Sequence, residues 1–181
     1  DGHPVNLEIN SVTDAQGQPW NYTTRGENGM RILRIGNADS YAHGLTTYVI
    51  EYTQHDVTRF FQDTNRDEWY WDTNGTAWQV PIDSLSITAR IDSTLMSARE
   101  GEPQCYTGAE NATNSCAITE EESGVYRAWA NDLAAGENVT LVFGFKPQTF
   151  TAYTATLFER LLGIWLLLQV LMVPLGVILI V

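Results

Sequence analysis

Aromatic and acidic side chains crowd one short stretch of this 181-residue chain: Glu68 stands beside Trp69, Tyr70 and Trp71, and Trp78 follows. Rings stacking on the apolar face of a sugar or peptide, next to a carboxylate that accepts from hydroxyls, are the chemistry of a recognition surface. Core packing competes with that reading. On an extended strand Trp69 and Trp71 point one way and Tyr70 the other, so at least one set turns inward. Asp63, Asn65 and Asp67 imitate the opening of a calcium loop. However, Glu68 stands where such a loop needs glycine, and Asn74 where it needs a bidentate glutamate. A solvated turn accounts for the same residues. His3, His43 and His55 are far apart and outside any metal-type motif, and His55 and Asp56, as strand neighbours, face opposite ways. No serine sits in the glycine-flanked nucleophile turn of hydrolases, and 22 acidic residues supply facing carboxylates by chance. The expectation is therefore a non-enzymatic protein with no catalytic residue, no cofactor and no metal centre.

Cys105 and Cys116 are the two cysteines. In an oxidising compartment they are most simply a disulfide closing a polar loop that contains Gly108, Asn111 and Asn114. Four asparagines, Asn21, Asn74, Asn111 and Asn138, match the glycosylation sequon. The formal charge of −12 argues against nucleic acid or a bare anionic lipid surface as partner. Divalent cations, a basic protein face or solvation alone all suit such a surface.

The elements that must position these residues read as strands. Val5, Leu7 and Ile9 alternate with polar residues, Ala15 to Gly29 is polar and glycine-rich, and Met30 to Ile35 is a short strand. Leu45 to Tyr52 reads as the central strand, with Val57 to Phe61 as its hairpin partner. Trp69 to Trp71 begins an aromatic strand ending at Asn74-Gly75, a pair that favours a tight hairpin turn. Leu85 to Ile91, Val125 to Trp129 and Val139 to Phe145 follow, and Val139, Leu141, Phe143 and Phe145 share one face. About eight strands with turns at short intervals predict an all-β domain, a single two-sheet sandwich over residues 1–150.

From Leu161 to Val181 only Gln169 and Pro174 interrupt an apolar and glycine run, and no charge enters it. As a helix these residues rise roughly 31 Å, about one hydrocarbon core, so a lipid bilayer is an expected partner. Lipid-embedded helices tolerate a proline kink when neighbours satisfy the freed carbonyl. Gln169 either bonds to an adjacent membrane helix or faces lipid uncharged. With Pro174 it marks the expected helix–helix contact with an integral-membrane protein partner. A start at Asp1 fits removal of a signal peptide, and a run that stops without a polar flank fits a span truncated at its C-terminal end. The expected layout is residues 1–150 on the extracytoplasmic side of a cell membrane, 151–160 as juxtamembrane linker and 161–181 as a transmembrane helix.

Several segments together resemble the N-terminal domain of the DUF2207 family of bacterial and archaeal membrane proteins. They are Thr47-Tyr48-Val49-Ile50-Glu51-Tyr52, Asp67-Glu68-Trp69-Tyr70-Trp71-Asp72, and Asn74-Gly75-Thr76-Ala77-Trp78-Gln79-Val80-Pro81-Ile82. Cys105-Tyr106-Thr107-Gly108 through Cys116 continues the pattern, and Leu133-Ala134-Ala135-Gly136-Glu137 into Val139-Thr140-Leu141-Val142 closes it. Where the family commonly has Trp-Asn before its turn, this chain has Trp71-Asp72. The resemblance implies a secreted-side β domain followed by membrane spans and supplies no catalytic residue. The functional expectation is an accessory or interaction subunit of a larger membrane assembly. Its alternative is a binding module for envelope glycan or peptide, acting through the Trp69 to Trp78 region.

Overall fold

The computed structural model describes residues 6–27, 30–39, 41–154, 157–158, 161–162 and 165. The chain divides into two units, one running up to Phe150 and one from Thr151 onward. The first is all-β, with twelve strands among the described residues: β1 (Glu8–Thr13), β2 (Tyr22–Glu27), β3 (Met30–Ile35), β4 (Val49–Thr53), β5 (Thr58–Phe61), β6 (Arg66–Asp72), β7 (Ile82–Arg90), β8 (Gln104–Gly108), β9 (Asn114–Ser115), β10 (Ala117–Glu122), β11 (Val125–Leu133) and β12 (Asn138–Phe145). A short 3-10 helix, Ser93–Ala98, is capped by Asp92, whose carboxylate accepts from the Thr94 amide and hydroxyl. Those bonds hold the Asp92 carboxyl below its usual range.

The strands form four sheets: β5-β6-β12-β8-β9, β10-β11-β7, and the two ladders β1-β4 and β2-β3. Strand β12 lies in the middle of the largest sheet and is buried along its whole length. Val139, Leu141, Phe143 and Phe145 are at most 2% exposed and form the core with Cys105 from β8 and with Ala89, Tyr126, Ala128 and Leu133 from β7 and β11. The expected shared face of β12 is thus the centre of the molecule's apolar packing. Tyr126 meets Phe143 edge-on at 4.9 Å, and the Arg99 guanidinium lies 5.2 Å above the Phe143 ring. Arg99 also donates to the Gly144 and Gly101 carbonyls. The expected disulfide is present, with Cys105 buried and Cys116 half-buried.

Three local expectations are corrected. The stretch Leu45 to Tyr52 is not a central strand: β4 covers Val49–Thr53 and pairs with β1, and Tyr48, Val49, Ile50 and Tyr52 are each more than two-fifths exposed. Alternation identified a strand there but carries no information on whether a second layer covers it. Strand β5 pairs with β6 instead of β4, because the tight turn 62–65, with Asn65 at φ 53°, folds it directly onto the next strand. Asn74-Gly75 does not close a two-residue hairpin either; the chain leaves the five-stranded sheet there and enters the three-stranded one. Asn74 acts as a clamp, accepting from the Val139 amide at 2.9 Å and donating to the Glu137 carbonyl at 3.0 Å.

In the second unit the backbone is helical at Leu157, Phe158, Leu161, Leu162 and Trp165. No helix among the described residues is long and apolar enough to cross a membrane. The run 161–181 lies mostly outside the described residues, and Gln169 and Pro174 lie wholly outside them.

Candidate functional site

The register of β6 decides which of its side chains look outward. Phe143 of β12 stands opposite Trp69, and Leu141 opposite Trp71, so both tryptophans share the core face. Trp69 and Trp71 stack at 5.8 Å with ring planes 6° apart, and Trp69 also meets Phe143 at 5.7 Å. Glu68, Tyr70 and Asp72 alternate with them and occupy the other face. The expected recognition surface of Glu68, Trp69, Trp71 and Trp78 is therefore not one surface. Strand alternation puts Glu68 and Trp69 on opposite faces, whereas half-buried Trp71 still borders a cavity with Glu68. Trp78 lies in the crossing between β6 and β7, with its indole N–H donated to the Asn74 carbonyl at 2.7 Å.

Two cavities lie on the outer face and meet at Tyr70 and Asp72. The larger, about 450 Å³, is walled by Arg59 and Phe61 of β5, Glu68 of β6 and the 54–57 loop. Trp71 borders it as well. The last paired residues of β5 and β6 are Thr58 and Trp69, so Tyr70, Trp71 and Asp72 run on without a strand partner on that side among the described residues. Arg59 sits opposite Glu68 across the hairpin, and Glu68 accepts from the Thr64 hydroxyl at 2.7 Å. The groove thus carries both charges, an aromatic wall and a short length of open strand edge.

The smaller cavity, about 200 Å³, is bounded by Tyr106 and by the turn of the disulfide hairpin, including Glu110. Its floor is polar. Asp72 accepts from the Thr140 hydroxyl at 2.6 Å and from the Asn138 side-chain amide at 2.9 Å. Burial first, then the Asp72 carboxylate and Tyr106, push the Tyr70 phenol above its ordinary value, with the Thr140 hydroxyl opposing them. Asn138 and Thr140 escaped the sequence reading. Their alternation with Val139 and Leu141 was visible, but the strand that would lie beside them was not.

The other candidate residues have structural places. Asp67 is 5% exposed and its carboxylate accepts from the Phe150 amide at 3.0 Å, which fastens the end of the domain. Asn138, one of the four sequon asparagines, is buried.

The family model described as "Predicted membrane protein (DUF2207) N-terminal domain" matches residues 1–145. The chain belongs to the DUF2207 family. No curated protein and no solved structure matches it. Membership makes this a membrane protein family's N-terminal domain and assigns the DUF2207 groove no substrate.

Proposed function

We propose that this protein is a non-enzymatic, membrane-anchored recognition module that binds an extended envelope peptide along the outer face of β6. The five-stranded and three-stranded sheets, whose inward residues share one core, act as the two layers of a sandwich that holds this face rigid. The carrying observation is the open edge at Tyr70–Asp72 inside a groove walled by Arg59, Phe61 and Glu68. An exposed strand edge recruits a peptide through main-chain hydrogen bonds, and flanking pockets sort its side chains. A glycan would use the same rings and carboxylates but would gain nothing from the edge. The domain faces outward from the cell membrane in this reading, tethered by the 161–181 span.

The test uses the full-length protein in mild detergent against immobilised envelope peptides and glycan fragments. Peptide binding is expected, weakened about tenfold or more by Tyr70→Ala or by methylating the peptide backbone amides that face the edge. Indifference to both changes sinks the proposal. An accessory subunit in a larger membrane assembly is the second reading, favoured by the exposed Val49, Ile50 and Tyr52 on the β1-β4 ladder and Tyr48 just before it. Its mark is a stoichiometric integral-membrane partner lost with Ile50→Asp and retained with Tyr70→Ala.

A further inference from the structure

At the inner end of the groove, three adjacent strands bring Tyr70 and Asp72, Asn138 and Thr140, and Tyr106 to one place on the outer face. The hydrogen bonds there fix the orientation of the Asn138 amide. Its nitrogen donates to Asp72 Oδ1 at 2.9 Å and to Thr140 Oγ1 at 3.2 Å. Turning the amide over would set its oxygen against a carboxylate. Asn138 Oδ1 is therefore an acceptor, on a residue only 8% exposed, and no donor reaches it among the described residues. Such an atom is costly to bury unless something supplies a proton to it. Two neighbouring hydroxyls are turned elsewhere: Thr140 gives its proton to Asp72 at 2.6 Å, and Tyr106 gives its own to Gln104 at 2.8 Å.

The rest of the cavity asks for the same complement. Asp72 and Glu110 line it, and no arginine, lysine or histidine does so among the described residues. Two phenol rings stand with these acceptors, and ring faces favour a cation. The Tyr70 phenol is pushed above its ordinary value by burial first and then by the Asp72 carboxylate, and the second of these causes agrees with a negative potential in the niche. The volume, about 200 Å³, suits the end of a side chain.

We propose that this niche is a subsite for a primary alkylammonium group, the end of a lysine-type side chain on the bound peptide. The inference rests on the peptide-groove reading above and names what that groove selects. The ammonium is neutralised by Asp72 and Glu110 and donates to Asn138 Oδ1, which has almost no surface open in this structure and is uncovered as the chain end enters, and Tyr70 carries the chain from the groove into the niche.

The probe is the capped tripeptide acetyl-Gly-Lys-Gly-amide, titrated into the full-length isotope-labelled protein in detergent and followed by NMR. Its Nε-acetyl twin and glucosamine serve as comparison arms. Saturable shifts at the Asn138 side-chain amide and the Tyr70 and Tyr106 rings are expected from the lysine peptide alone. Asp72→Asn should weaken it about tenfold. Glu110→Gln, on a turn outside the bonded network, should weaken it about threefold. Equal binding of the acetylated twin, a preference for glucosamine, or no shift at Asn138 each overturns the subsite. If longer envelope peptides still bind and depend on Tyr70, the groove reading survives that failure. If the tripeptide fills the niche and longer peptides gain no affinity over it, the subsite stands and the groove reading falls.

Discussion

Tyr70 joins the two cavities, and its titration is the most direct handle on them. The raised phenol pKa has a signed consequence for stability. Below its ordinary value of 10.0 the group is neutral in both folded and unfolded chains. As pH climbs past that value the unfolded chain ionises first, so stability is lost as pH rises toward the folded pKa. Thermal melts in that range should show a falling Tm, with a smaller fall for Tyr70→Phe, which removes the ionisation and keeps the ring. Identical slopes for the two proteins would refute the argument. The phenol is too exposed for the effect to be large.

Among the elements, β12 does most to specify the fold. Its Gly144 and the neighbouring Glu100 come so close that a Cβ on Gly144 would stand 2.6 Å from the Glu100 carbonyl oxygen. That carbonyl belongs to the segment whose amide, from Glu100, donates to the Gly144 carbonyl at 2.9 Å, so the contact cannot open without losing the bond. Gly144→Ala should therefore cost about 1–3 kcal/mol, read from the urea midpoint. An unchanged midpoint would show that segment to be free to move aside. The glycine's reason is not visible in the sequence, because the close approach is made by a residue more than forty positions away. Much else in β12 was legible. A period of two in Val139, Leu141, Phe143 and Phe145 told which face turns inward, and the two cysteines told their own pairing. Pairing partners were less legible. Strand β2 is polar and exposed throughout, so no periodicity marked it, and β10 carries one half-buried isoleucine, Ile118, before a run of glutamates. The faces of the aromatic strand depend on its partner as well: register with Phe143 and Leu141 turns Trp69 and Trp71 toward the core side, where Trp69 packs on the core and half-buried Trp71 stacks on Trp69.

For the whole molecule, family membership and composition meet at the apolar run beyond Arg160. Full-length protein should sediment with membranes, and a chain ending before Leu161 should move to the soluble fraction with its disulfide intact. Retention of the shortened chain on membranes would move the anchor into residues 1–160, with the exposed apolar β1-β4 ladder as the first place to look. The position of β12 also has a consequence in time. It comes after every strand it joins, and its bonds to β6 reach back across 68 residues, from the Thr140 hydroxyl to Asp72. During synthesis β5-β6 and β8-β9 can close as local hairpins, but they share no hydrogen bonds until β12 arrives between them. Assembly of the largest sheet is thus a late step that waits for Phe145 to emerge, and it is slow by the cost of long loop closure. Until then the outer face around Tyr70 and Asp72 is incomplete, since Asn138 and Thr140 are the last of its parts to be made.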